Sequence, residues 1–142
     1  MVFPNEATKI LINEFPNIKK TEDWKSYYMV VNPNEDPSNI HALMMVLTDY
    51  ITDKLNEKQS LNRRKTEEEK IFKLIERFIK EGDFNVRDAA STCFLENLIN
   101  YTSAGRLKPE QFIHYLGKES KEYCKAWDEF TGVKTPGLWD NG

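Results

Sequence analysis

Val86-Arg87-Asp88-Ala89-Ala90-Ser91-Thr92-Cys93-Phe94-Leu95-Glu96-Asn97-Leu98 is the stretch that decides the fold. Wound as a helix from Val86 to about Thr102, it carries Val86, Ala89, Ala90, Cys93, Phe94, Leu95, Leu98, Ile99 and Tyr101 most of the way round the wheel. Only Asp88, Thr92 and Glu96, spaced i, i+4, i+8, leave a polar stripe opposite Ala90, Phe94 and Leu98. A helix so wrapped in apolar groups has to be surrounded by other elements, so a central helix is expected, capped by Asp83 or Asn85.

Working back from it, Gly82 ends a preceding helix whose stripe is Ile71, Phe72, Leu74, Ile75, Phe78 and Ile79, against Lys73, Glu76, Arg77 and Lys80. Thr66 and Glu69 have capping-box spacing and predict its start. Asn56–Lys65, with Lys58-Gln59-Ser60 and Arg63-Arg64-Lys65, reads as a loop or a fraying helix end. Ser38 is expected to cap a helix with Ile40, Leu43, Met44, Leu47, Tyr50, Ile51 and Leu55 on one half and His41, Met45, Thr48, Asp49 and Thr52 on the other. A first helix is expected from an Asn5 cap to Phe15, stopped by Pro16. Thr21–Val31 suits helix or strand, and Asn32–Pro37 is a loop.

Working forward, Pro109 opens a short helix holding Phe112, Ile113 and Leu116 and closed by Gly117. A last helix spans about Glu119 to Phe130, with Tyr123, Ala126, Trp127 and Phe130 expected on its inward face. The tail, residues 131–142, is irregular, with Leu138 and Trp139 as its apolar pins or as a presented anchor. No β-alternation or hairpin signal occurs. The expected fold is all-α, a compact multi-helix bundle in one domain, residues 1–142.

Composition agrees with a globular chain. Of 142 residues, 39% are hydrophobic and 30% charged, and a chain of this length buries roughly two-thirds of its surface. No apolar run reaches the roughly 20 residues of a membrane span, and the N-terminus lacks the basic and apolar regions of a secretory signal. Twenty basic against 23 acidic residues give a net charge of −3 and no basic face for nucleic acid. Cys93 and Cys124 make no disulfide framework, which fits a reduced, cytoplasmic protein.

The helix–turn–helix from about residue 66 to 102, with its Val86-Arg87-Asp88-Ala89-Ala90 start, resembles one HEAT-type unit, without a second copy at the expected spacing. Together with Trp24 and the Ile71–Ile79 helix, the stretch Val86–Leu98 also resembles a family of small all-helical bacterial proteins, similar to immunity proteins of contact-dependent and other polymorphic toxin systems. That resemblance implies a protein that binds and blocks a toxin domain.

The chemistry-bearing residues point the same way. His41 and His114 share no metal spacing, Cys124 has no local catalytic motif, and no glycine-rich phosphate loop exists. The expectation is therefore no enzyme, no metal and no cofactor. On a buried helix a carboxylate such as Glu96 must reach solvent or a cationic partner, so Asp88, Thr92 and Glu96 are candidates for a stripe opening onto a partner-binding groove. His41, Met45, Asp49, Thr52 and Asp53 form a second candidate face suited to a basic toxin surface, and Trp139 a third contact. The expected partner is a cognate toxin domain, with neither nucleic acid nor membrane involved, and with monomer or dimer left open. The alternative is a helical adaptor unrelated to toxins.

Overall fold

Contacts run in register between two helices that lie side by side and point the same way. The computed structural model that shows this describes residues 1–57 and 61–139, the side chains of 61–66 excepted. The helices are α1 (Pro4–Glu14), α2 (residues 22–31), α3 (Ile40–Asn56), α4 (Leu61–Glu81), α5 (residues 84–103) and α6 (Lys118–Thr131), with tighter 3-10 turns at Pro16–Lys20, Pro109–Gln111 and Ile113–Tyr115. The fold is all-α, a compact bundle. Among the described residues its one β-like feature is a bridge between Val2 and Gly82.

α5 is the central helix. Val86, Ala89, Ala90, Phe94, Leu95 and Leu98 are fully buried, and Asp83 caps the start by accepting the Val86 amide at 2.8 Å. Residues Ala89–Leu95 widen into a π-helical stretch. There the Cys93 carbonyl accepts the buried Thr48 hydroxyl of α3 at 2.7 Å and the Asn97 amide at 2.9 Å. Successive pairs, His41 with Asp88, Thr48 with Cys93 and Asp49 with Tyr101, order α3 and α5 in parallel, and Asn56 bonds Arg106 just past the end of α5. α4 supplies the return between them. Phe72 of α4 fills the middle, edge-on to Phe94 and stacked with Phe112 and Tyr115.

The ambiguous segment is helical. Trp24 and Tyr28 are both buried, and their rings stack with centroids 4.2 Å apart. In a strand, residues four apart stand roughly 13 Å from one another. Only a helical turn brings these rings together.

Several boundaries differ from the sequence reading. Pro4, not Asn5, opens α1, with the Glu6 carboxylate accepting the Phe3 amide at 3.3 Å. Asn39, not Ser38, caps α3, its side chain accepting the Ala42 amide at 3.4 Å. α4 begins at Leu61, so Thr66 lies inside the helix and the expected loop is shorter. Lys58-Gln59-Ser60 and the side chains of Arg63-Arg64-Lys65 and Thr66 lie outside the described residues. Gly82 does end α4, for a steric reason: a methyl group there would collide with the Phe78 carbonyl and Val86. The same turn accepts the chain start, Val2 bonding Glu81 and Asp83 at 2.7 and 2.8 Å.

Thr48 and Thr52, expected on the polar half of α3, are buried and bond the carbonyls of Met44 and Thr48, one turn back. On α6 the inward row is Ser120, Cys124 and Asp128. Phe130 is 81% exposed, and Ala126 also faces outward. A carboxylate turned inward there is the reason the apolar pattern misled.

Candidate acidic interaction face

The parallel packing of α3 and α5 brings the two predicted rows together. His41 Nε2 lies 2.9 Å from Asp88 Oδ2, with each side chain about two-fifths exposed. Farther along, the Tyr101 hydroxyl donates to Asp49 Oδ1 at 2.6 Å. His41, Met45, Asp49 and Asp53 follow one another along α3, and Asp88, Thr92 and Glu96 along α5, and the two rows meet at the His41–Asp88 contact. Thr52 is not part of the α3 row, being buried.

Each member has a specific neighbour. The Thr92 hydroxyl donates to the Asp88 carbonyl at 2.9 Å, one turn back. Glu96 is paired, as its half-burial demands, but with the hydroxyl of Tyr123 on α6 rather than a lysine or arginine. Burial of the ring, then that bond, raises the Tyr123 phenol above its ordinary range. Met45 is 39% exposed, and the Tyr27 hydroxyl reaches its sulfur at 3.5 Å.

Around Asp49 the face becomes strongly acidic. Asp23 of α2 shares a hydrogen bond with Asp49, and this bond, partial burial and the charges of Asp49 and Asp53 push its carboxyl up to about 6. Desolvation, then repulsion from Asp49, raises Asp53 as well. Arg106 opposes both shifts. Its guanidinium lies 3.9 Å from Asp49 and 3.9 Å above the Tyr101 ring. The basic side chains Lys70, Lys73 and Arg77 gather elsewhere, with Glu14, around a cleft of about 420 Å³. The mild net charge thus conceals separated acidic and basic surfaces.

A second concavity opens beside Asp88, between the end of α4, the start of α5 and the start of α6. It has a volume of about 460 Å³, and Phe84, Arg87, Asp88, Glu119, Glu122 and Tyr123 help line it. Phe84, the first residue of α5, is 79% exposed. The sequence reading missed Phe84, Asp23, Tyr101, Arg106 and Tyr123. Phe84 carried a signal, an aromatic residue directly after a capping Asp and outside the apolar pattern. The others enter through tertiary contacts that no local spacing announces.

Trp139 belongs to a different place. Its indole donates to Asp128 Oδ2 at 2.8 Å, and Thr135 gives the same carboxylate its amide at 2.7 Å and its hydroxyl at 2.8 Å. Asp128 has no exposed surface and Leu138 almost none, so the tail is fastened to α6. Cys124 is buried on that helix, and desolvation, with the charges of Asp128 and Glu96, pushes its thiol up to about 12. His114 packs on Tyr115, ring centroids 4.1 Å apart. Among the described residues no three His, Cys, Asp or Glu side chains are placed to hold a metal ion, and no helix is long and apolar enough to cross a membrane.

A family model described as a domain of unknown function, DUF7674, matches residues 8–132. No curated protein and no solved structure matches the chain.

Proposed function

We propose that this chain, which belongs to the DUF7674 domain family, is a cytoplasmic immunity protein that binds a cognate bacterial toxin domain and occludes its active site. The observation that carries the reading is the His41–Asp88 contact, where the row of Asp49 and Asp53 meets that of Asp88 and Glu96, with Asp23 beside Asp49. Such acidic rows steer a basic partner by long-range attraction and set its orientation on arrival. Domains that cut nucleic acid carry basic surfaces, because their substrate is a polyanion. A protein that lays carboxylates over such a surface blocks the substrate without any chemistry of its own. The exposed Met45, an adaptable apolar contact amid the charges, supports the same reading.

The test is co-expression with the product of the neighbouring open reading frame. Growth rescue together with a stoichiometric complex is the expected outcome. A complex with a neighbour that is not toxic favours the helical-adaptor reading instead, and the absence of both complex and rescue ends the immunity reading.

A further inference from the structure

We infer that the groove between the start of α5 and the start of α6 is a docking site for a cationic protein segment, with Phe84 as the aromatic anchor for an apolar residue on that segment. The inference rests on the partner-binding reading above and adds to it one contact site, distinct from the Asp23, Asp49 and Asp53 cluster. Three observations carry it. The groove is concave and sizeable, about 460 Å³. Its charges are one-sided: Asp88, Glu119 and Glu122 stand against Arg87 alone. And Phe84 leaves 79% of its surface in water at the rim, whereas Phe15, Phe72, Phe78, Phe94 and Phe112 are buried and the other exposed phenylalanines, Phe3 and Phe130, do not line the groove.

The exposure has a local cause. Asp83 must turn its side chain onto the Val86 amide, and Val86 must point inward, so the two residues between cap and first core position, Phe84 and Asn85, face out. Helix formation at position 84 asks nothing of an aromatic ring, and a polar residue would serve the fold as well. An aromatic ring beside carboxylates is the arrangement by which an interface couples a desolvated anchor to a charged rim. The occupant follows from complementarity. Three carboxylates lining one cleft repel an acidic segment and attract lysines or arginines, and the ring rewards an apolar side chain among them. Tyr123 on the groove wall is held by Glu96, so the wall is already fixed before a partner arrives.

The experiment titrates a synthetic helical peptide of lysine and leucine into the isotopically labelled full chain and follows backbone amide signals by NMR. A glutamate–leucine peptide of equal length is the control. Shifts centred on Arg87, Asp88, Ser91, Glu119 and Glu122, with Phe84→Ala weakening binding about tenfold or more and Phe84→Trp retaining it, are expected. Shifts centred instead on Asp23, Asp49 and Asp53, equal binding of the acidic peptide, or unchanged affinity in Phe84→Ala would overturn the assignment. The two readings separate cleanly. If the wild-type chain rescues growth and Phe84→Ala with Glu119→Lys and Glu122→Lys rescues equally, the groove assignment falls and immunity stands. If the peptide docks in the groove but the wild-type chain never rescues, immunity falls and the groove remains.

Discussion

The carboxylate of Glu76 on α4 caps α6 from outside that helix, taking the Ser120 hydroxyl at 2.8 Å and the Glu119 and Ser120 amides at 2.9 Å each. α6 has no capping side chain of its own, because Gly117 stands at its N-cap. Glycine is required there by close approach: a methyl group would fall on the Glu76 carboxylate. Glu76→Ala leaves three donors without this acceptor and is expected to cost about 1–3 kcal/mol of folding stability. Gly117→Ala should cost a similar amount by displacing Glu76. Denaturant titrations measure both.

The same carboxylate makes stability depend on acid. Desolvation acts against the ionised form, but the Glu119 and Ser120 bonds outweigh it and lower the pKa from its ordinary 4.5. A depressed folded pKa means stability that is full above the unfolded value and lost as pH falls through the folded one. Wild type should therefore lose stability more steeply than Glu76→Gln below about pH 4.5, as followed by thermal melts across that range. Parallel pH curves for the two proteins would show that the cap is not ionic.

Asp23 titrates with the opposite sign. Its shared hydrogen bond with Asp49, its burial and the nearby charges raise it from 3.8 to about 6. The folded chain then holds a proton the unfolded chain has released, so this group contributes stability below 3.8 that is lost as pH rises to about 6. Asp23→Asn should be relatively more stable than wild type at pH 7 and lose that advantage at pH 4. A cation placed on the face favours the ionised pair, so partner binding should tighten between pH 5 and pH 7 with proton release, which calorimetry in buffers of different ionisation enthalpy detects.

Asp128 holds the tail through Thr135 and Trp139. Because it is fully buried, Asp128→Ala strands three donors and should cost about 3–5 kcal/mol, with residues 131–139 cut early by protease. Asp128→Asn keeps one oxygen for the Thr135 amide and the Trp139 indole, and offers an NH₂ to the Thr135 hydroxyl, so its loss should be the smaller. Equal losses in the two variants would mean that charge, not hydrogen bonding, fixes the tail.

The thiols should differ in reactivity. Cys124 is 1% exposed with its pKa pushed up to about 12, whereas Cys93 is only half-buried and less strongly shifted. A thiol reagent should label Cys93 first in the native chain and reach Cys124 only on unfolding, with mass spectrometry of the peptides as readout.

These features were unequally legible in the sequence. The central helix, the Gly82 stop and a cap at Asp83 or Asn85 could be read, because periodicity and turn chemistry are local; the structure selects Asp83. Each carboxylate row could be read as well, since i, i+4 spacing fixes a stripe on its own helix. What the spacing could not carry was that His41 meets Asp88, 47 residues away, because that depends on α3 and α5 lying parallel. Asp128 was illegible for a related reason. A charged residue is buried only when its partners are supplied, and here they come from the irregular tail. The polar start of α4 reads as a loop or a fraying helix end because Leu61 is the one apolar residue between Asn56 and Lys70, too little to mark a helical face.

The central proposal is that the acidic rows of α3 and α5 bind a basic partner, and one binding measurement tests it most directly. The purified product of the neighbouring open reading frame is titrated calorimetrically with wild type and with Asp53→Lys, an exposed position outside the core, at low and high salt. The account predicts a one-to-one complex that weakens at least tenfold in Asp53→Lys and weakens with salt. No complex, or an affinity indifferent to both changes, would contradict it.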